Sequence, residues 1–163
     1  MTWEWDYLIK ILVALICGGI LGAEREYTGK AAGFRTFTMV ALGSCIFSII
    51  SLDVSQVAIL KFNNELLRMD PGRIAAQVVV GIGFIGMGLI ILQENKIKGL
   101  TTAAGLWFVA ALGMAAGFGF YFLAILGTVS ALIVLVGFRV LERHLDKRAE
   151  IARQKRVNDE RND

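Results

Sequence analysis

The chain has 163 residues, a formal net charge of +3 and 56% hydrophobic residues, and its mean hydropathy is +0.62. This composition excludes a soluble single-domain enzyme, and the small net charge gives no reason to expect a nucleic-acid partner. Fourteen charged residues lie in the last 25 positions, 139–163, so the sequence predicts a charged tail after an apolar domain, 1–138.

Five apolar runs in this domain are about as long as a helix that crosses a bilayer. They cover residues 7–23, 37–52, 74–92, 100–117 and 120–138. Lipid offers the backbone no hydrogen-bond partners, so only helices or closed barrels cross it, and these runs lack the alternation of barrel strands. The sequence therefore predicts an all-α membrane protein with five transmembrane helices.

The distribution of lysine and arginine predicts the orientation, because cytoplasmic loops carry an excess of both. With the N-terminus outside, the cytoplasmic side receives 13 of these residues and the outer side three, while Lys10 falls within the first run. We therefore predict an N-out, C-in topology with a cytoplasmic tail. The outer connection, 53–73, is expected to extend the second helix or to form a short helix on the outer surface.

Two of the predicted connections can be overlaid without gaps, residues 21–36 on residues 87–102. The overlay matches Gly22 with Gly88, Lys30 with Lys96, Gly33 with Gly99 and Thr36 with Thr102. These few identities are as compatible with chance as with a duplication. A duplication would give two parallel helical hairpins followed by a fifth helix.

The third run contains a glycine pattern, Gly81-Ile-Gly-Phe-Ile-Gly86, with the spacing of a dinucleotide-binding loop. Its context does not fit, because it lies within one apolar run and no acidic residue follows at the distance that binds a ribose. Small residues in lipid instead let neighbouring helices approach closely. We predict helix packing at the glycines of the first and third runs: Gly18, Gly22, Gly81, Gly83, Gly86 and Gly88.

A polar group opens the third run. Asp70 and Pro71 are helix-start signals, and Arg73 and Gln77 follow one turn apart on one helix face. Polar side chains at membrane depth are costly unless they face protein or water. The pattern predicts either a structural network or a functional outer cavity, and both interpretations stay open.

A second polar group lies where the first run ends and the second begins, and it contains Glu24, Arg25, Glu26, Arg35 and Thr36. Its carboxylates and guanidinium groups either pair with one another and anchor both helices, or form an ion or partner site. In the second interpretation a glutamate binds a cation or a proton, and an arginine holds the geometry. The fourth run adds the hydroxyls of Thr101 and Thr102 and the indole of Trp107. The indole either packs against other helices or gates a path through the protein.

No residue grouping suggests catalysis. Cys17 and Cys45 lie within apolar runs, where small packing residues are expected, and His144, the only histidine, lies in the charged tail. We therefore expect no cofactor, and the sequence leaves the question of a bound metal open. A lipid-directed enzyme, based on the carboxylates at the helix ends, is a third hypothesis behind the two functions given below.

Several separate stretches follow one family pattern. They are Glu24-Arg25, Ala32-Gly33-Phe34-Arg35-Thr36, Leu42-Gly43, Asp70 with Arg73-Ile74-Ala75-Ala76-Gln77, Gly81-Ile82-Gly83-Phe84-Ile85-Gly86, Gly99-Leu100-Thr101-Thr102-Ala103-Ala104, Trp107, Ala110-Ala111 and Gly113. In these stretches, which cover about residues 8–119, the chain resembles the MgtC/SapB family of bacterial membrane proteins. Val80 and Met87 stand where members often have smaller residues.

The resemblance implies a multi-pass protein of the bacterial inner membrane without enzymatic activity. It implies a role in virulence and in adaptation to low magnesium or acid, through the F-type ATP synthase or the membrane potential. Two functions remain open: a regulator that acts through lateral helix contacts, as a homodimer or with a membrane partner, and a small ion transporter or channel that uses the polar groups at the helix ends.

Overall fold

The computed structural model describes residues 2–62, 72–93 and 95–139. Within these ranges the chain forms α1 (Thr2–Tyr27), α2 (Phe34–Phe62), α3 (Gly72–Met87), α4 (Leu100–Gly117) and α5 (Tyr121–Leu132). A π-helical turn, Ile133–Gly137, continues α5, and a two-stranded antiparallel hairpin, β1 (Ile91–Gln93) and β2 (Lys96–Lys98), joins α3 to α4. The chain divides after Thr128 into two compact units, and α1 to α4 all belong to the first.

Three helices contain segments that are long and apolar enough to cross a membrane, Glu4–Tyr27, Phe34–Val57 and Leu100–Gly117. The helices Gly72–Met87 and Tyr121–Gly137 are apolar but shorter. The predicted helical class is confirmed, whereas five crossing helices and their orientation stay predictions. The predicted tail beyond residue 139 lies outside the described residues.

The predicted end of the third span, at residue 92, is wrong. Helix α3 ends at Met87, and Leu92 pairs with Ile97 in the hairpin. Apolar residues continue through this junction, so hydrophobicity alone does not separate a longer helix from a strand. In the outer connection, α2 continues to Phe62. The predicted extension of the second helix is therefore confirmed as far as that residue.

Helix α2 is the centre of the packed bundle, and it contacts both α1 and α4. Its residues Phe37, Ala41 and Cys45 are fully buried. On the α1 side, a Cβ atom added to Gly18 would lie 2.7 Å from the Cβ of Ala41, and one added to Gly22 would lie 2.7 Å from the Cα of Phe34. Any side chain at these two glycines would therefore push α1 away from α2.

Helix α4 approaches the opposite side of α2 just as closely. A Cβ atom at Gly113 would collide with the carbonyl oxygen of Ala41, and one at Gly117 would lie 2.5 Å from the carbonyl oxygen of Cys45. Because two backbones meet here without intervening side chains, van der Waals contact between the helices is extensive. The bundle of α1, α2 and α4 is the rigid frame for the polar groups described below.

The connections at the Arg25 end of α1 differ in structure. Residues 28–33 form an irregular turn, whereas the hairpin and Gly99 lead from α3 into α4. Gly99 has φ 92°, and a Cβ atom there would collide with the carbonyl oxygen of Leu89. Only glycine fits such a left-handed residue packed on backbone. The overlay of these two segments thus pairs unlike structures, and the parallel repeat stays a prediction.

Candidate functional site

The last turn of α1 contains a buried ion pair. The Arg25 Nε donates a hydrogen bond to Oε2 of Glu24 at 2.6 Å, and the two side chains are 2% and 8% exposed. Charges removed from water are tolerated when they are paired and hydrogen-bonded. The pair therefore fixes the Arg25 guanidinium inside the end of the helical bundle.

Hydrogen bonds to the same segment hold the turn after α1. The Thr28 hydroxyl donates to the carbonyl oxygen of Glu24 at 2.9 Å, and the Lys30 N–H donates to the carbonyl oxygen of Arg25 at 3.0 Å. Oε2 of Glu26 accepts the N–H of Phe34 at 2.9 Å, at the start of α2. A carboxylate at this position satisfies a free backbone donor and complements the helix dipole. We call Glu24, Arg25, Glu26 and Thr28 the Arg25 cluster.

One edge of the Arg25 guanidinium has no partner, because Nη1 is buried and makes no hydrogen bond to any described residue. Phe37 lies between Gly22 of α1 and Gly105 of α4, since a Cβ at either glycine would come within about 3.1 Å of its side chain. Arg25 follows Gly22 by about one turn and Thr102 precedes Gly105 by one turn, so both lie at the same level beyond Phe37. The Thr102 side chain is 4% exposed, which puts a buried hydroxyl at the level of the free guanidinium edge.

A second polar cluster lies near the other end of α1 and joins three helices. Lys10 Nζ lies 2.6 Å from Oδ2 of Asp6, and the Lys10 side chain is 12% exposed. The Tyr121 hydroxyl of α5 donates to Oδ1 of Asp6 at 3.2 Å, and the Tyr7 hydroxyl donates to Oδ2 of Asp53 in α2 at 2.7 Å. We call these five residues the Asp6 cluster. They tie the first turns of α1 to both α2 and α5.

The two clusters are separated by most of the length of α1. Asp6 and Arg25 lie 19 residues apart in one continuous helix, which corresponds to about 29 Å along its axis. The hydrocarbon core of a bilayer is about 30 Å thick. Charged groups at this separation can each reach a membrane surface while the segment between them lies in lipid.

Most of the other predicted site residues are exposed. They are Arg35, Thr36, Arg73, Gln77, Thr101 and Trp107. The arginine that pairs with a glutamate is Arg25, while Arg35 points outward at the start of α2. Asp70 lies outside the described residues, so the polar group that opens the third run is represented by Arg73 and Gln77.

Gln77 and Thr36 line a groove between α2 and α3. The groove has a volume of about 600 Å³, and its only other hydroxyl comes from Ser44. The rest of its wall is apolar, with Phe47 and Ile85 among its large side chains. Apolar walls with a few polar groups suit a hydrocarbon chain or an apolar helix better than an ion.

The predicted packing glycines fall into two groups. Gly18 and Gly22 approach α2 closely, and a Cβ at Gly86 would make an ordinary contact, 3.6 Å, with Ala103 of α4. Gly81 and Gly83 have nothing within 4 Å of such an atom, and the nearest atom to one at Gly88 is the carbonyl oxygen of Ile85, in the preceding turn. The described chain therefore leaves Gly81 and Gly83 of α3 without a close contact.

Sequence reasoning missed the second glycine pair of the bundle and most of the Asp6 cluster. Gly113 and Gly117 have the same four-residue spacing as Gly18 and Gly22, which is the signal that could have identified them. Asp6 and Lys10 are also four residues apart, the spacing of an ion pair on a helix. The Tyr7–Asp53 hydrogen bond joins residues from different helices, and no spacing reveals it.

The described residues hold charge and hydrogen bonds and do not assemble a metal centre. Among them, no three His, Cys, Asp or Glu side chains lie close enough together to bind a metal ion. The two described cysteines, Cys17 and Cys45, are buried free thiols. The charged groups of the candidate site are therefore the Arg25 guanidinium and the ion pairs at each end of α1.

Apolar helices packed through glycine, with ion pairs near the helix ends, define a helical membrane protein. A model of the MgtC family matches residues 11–144. The chain belongs to this family, and it is a membrane protein.

Relatives from several bacteria support this assignment. The chain is 43% identical over 136 residues to the "Putative magnesium transporter YhiD" of Escherichia coli K12, a match that covers 83% of this chain and 62% of YhiD. It is 39% identical over 117 residues to "Protein SapB" of Bacillus subtilis, covering 71% of this chain and 49% of SapB. With "Protein MgtC" of Salmonella typhimurium LT2 it shares 34% identity over 143 residues, covering 88% and 57%.

The chain thus spans about half to two thirds of the length of these three relatives. No solved structure matches it.

Proposed function

We propose that this membrane protein is a non-enzymatic regulator in the bacterial inner membrane, which it crosses with five helices and with its N-terminus outside. Its role is adaptation to low magnesium or acid, exerted on membrane energetics through the F-type ATP synthase or the membrane potential. It acts by lateral contact of α3 and the α2–α3 groove with a second copy of the chain or with that partner. Family membership supports the membrane setting, and the excess of basic residues on one side supports the orientation.

The observation that carries the proposal is the open surface of α3. Val80 and Phe84 are 69% and 76% exposed, and Gly81 and Gly83 lie between and beside them without a contact. In lipid, glycine faces are where backbones of separate helices approach. Within the bundle, helices approach one another at their glycines. The exposed glycines of α3 would let a helix from outside the bundle approach α3 in the same way.

Crosslinking in native membranes tests this proposal. Val80→Cys and Phe84→Cys are introduced singly in a chain whose Cys17 and Cys45 are replaced by alanine, and a short bifunctional thiol reagent is added. We expect a discrete dimer, or an adduct that mass spectrometry assigns to a subunit of the ATP synthase. Phe122→Cys, on an 80% exposed position of α5, is the matched control. Monomer alone from both α3 variants, or identical products from the control, would contradict lateral action through α3.

A small ion transporter is the second candidate. It is favoured by charged clusters at both ends of α1 and by the name of the Escherichia coli relative, a "Putative magnesium transporter". Proteoliposomes that contain only this protein are tested for flux of protons, potassium and magnesium, with Glu24→Gln and Arg73→Ala beside the unchanged chain and Lys30→Ala as control. Flux that requires Glu24 and Arg73 but not Lys30 would favour transport, and no flux from folded protein would favour the regulator.

A further inference from the structure

The hairpin between α3 and α4 has a fixed register. Ile91 pairs with Lys98, Leu92 with Ile97 and Gln93 with Lys96, so the strands are joined by a short connection that contains Asn95. Asn95 has φ 57°, the left-handed conformation that such tight turns require and that asparagine tolerates. The register therefore determines which side chains share a face.

The two faces of the hairpin differ in chemistry. Side chains alternate along a strand, so the cross-strand pair Leu92 and Ile97 forms one face, and these side chains are 74% and 61% exposed. The opposite face carries Gln93, Lys96 and Lys98, and the Lys98 Nζ donates to Oε1 of Gln93 at 2.8 Å. We call these the apolar face and the basic face. Ile91, opposite Lys98, completes the basic face.

The chain on either side holds the hairpin at the membrane boundary. The apolar segment of α4 begins at Leu100, two residues after Lys98, a distance of about 7 Å in extended chain. Met87, the last residue of α3, lies four residues before β1. A soluble domain or a distant partner would have to reach this level, whereas lipid headgroups are already there.

We infer that this hairpin is a binding surface for anionic phospholipids of the cytoplasmic leaflet, with its apolar face in the acyl boundary and its two lysines on the lipid phosphates. The inference rests on the proposed crossing of the membrane by α4 and on the proposed orientation. An interfacial element of this kind combines an apolar face with basic side chains that face anionic headgroups.

Site-specific fluorescence measures the depth of each face. An environment-sensitive fluorophore is attached to Leu92→Cys, Ile97→Cys or Gln93→Cys in the chain lacking Cys17 and Cys45, reconstituted in vesicles of phosphatidylglycerol and phosphatidylcholine. We expect brominated acyl chains to quench the probes at positions 92 and 97, and aqueous iodide to quench the probe at 93. Equal iodide access at 92 and 93 would overturn the inference.

A probe at Phe84→Cys, in the last turn of α3, separates this result from a failure of the proposed topology. If the probe at 84 is in lipid and the probe at 92 is in water, the hairpin inference alone fails. If the probe at 84 is in water, the proposed crossing of the membrane fails with it.

Lipid charge is tested by brominating only one lipid of the mixture. We expect brominated phosphatidylglycerol to quench the probe at 92 more than brominated phosphatidylcholine does. Each of Lys96→Gln and Lys98→Gln should lower this preference about fivefold, because a lysine at the surface contributes about that factor. Lys30→Gln, in the turn after α1, is the matched control. A preference that survives loss of both lysines, or that falls equally with Lys30→Gln, would overturn the assignment.

Discussion

The α1–α2–α4 bundle and helix α3 both contain regularly spaced glycines, yet they use them differently. In the bundle, Gly18, Gly22, Gly113 and Gly117 leave no room for a Cβ atom against α2. In α3, Gly81 and Gly83 have nothing within 4 Å. Glycines in apolar helices thus correspond to a filled interface in one region and an open one in the other. Glycine spacing indicates that a helix can be approached closely, and it does not say which helix approaches.

The largest expected effect comes from breaking the buried ion pair of the bundle. Arg25→Ala removes the buried guanidinium that pairs with the Glu24 carboxylate and should lower the free energy of unfolding by about 3–5 kcal/mol. Arg35→Ala, at an exposed position of α2, should change it by less than about 0.5 kcal/mol. Reversible unfolding in bicelles measures both values. A double variant, Glu24→Gln with Arg25→Met, should lose less than Arg25→Met alone, and equal losses would show that the pair is uncoupled.

A smaller effect is expected from filling the backbone contact between α4 and α2. Gly113→Val places methyl groups against the Ala41 carbonyl and should cost about 1–3 kcal/mol by forcing the helices apart. Gly83→Val is the matched change in α3, where there is open space, so the folded yield and melting temperature of that variant should stay close to the original. Similar melting temperatures for the two valine variants would remove the distinction between the filled and the open interface.

The Asp6 cluster should contribute less than either of these. Tyr7→Phe removes one hydrogen bond to Asp53 and should lower the free energy of unfolding by about 1 kcal/mol. Tyr27→Phe, at a residue that is 93% exposed, is the control and should have no measurable effect. The same unfolding assay decides the outcome. If the two phenylalanine variants are indistinguishable, the bond between α1 and α2 does not hold the bundle.

The smallest effect on stability is expected at Gly81. Gly81→Ala should stabilise the monomer slightly, by less than about 1 kcal/mol, because alanine favours a helix and the site is open. If α3 is the lateral contact, the same substitution should reduce crosslinking from Phe84→Cys. Unchanged crosslinking together with unchanged stability would leave Gly81 without a role in the proposed interface.

The apolar runs located the helices because hydrocarbon length and apolar length correspond directly. They failed after Met87, where Ile90, Ile91 and Leu92 continue the run. A short apolar stretch is compatible with a helix or a strand. The sequence signal for a hairpin was the β-branched pair Ile90 and Ile91 followed by Asn95. It is a local feature, and a search for long apolar runs does not detect it.

The candidate site was predicted in composition but not in pairing. The glutamates and arginines after the first run were identified, but the sequence analysis did not say which arginine is buried. In the structure it is Arg25, which lies on the same stripe as Gly18, Leu21 and Gly22. That stripe is visible in the sequence. Contacts between distant segments, such as Tyr7 with Asp53, depend on how the helices are rotated against one another. The spacing of residues within one sequence does not determine this rotation.

The length of α3 has a consequence for the surrounding lipid. Its 16 residues rise about 24 Å, whereas the 29 residues of α2 rise about 44 Å. If both cross a hydrocarbon core of about 30 Å, α2 has length to spare, while α3 is short and hydrophobic mismatch arises beside it. Phospholipids with shorter acyl chains should then gather beside α3, so the bilayer is expected to be thinner there than beside α2.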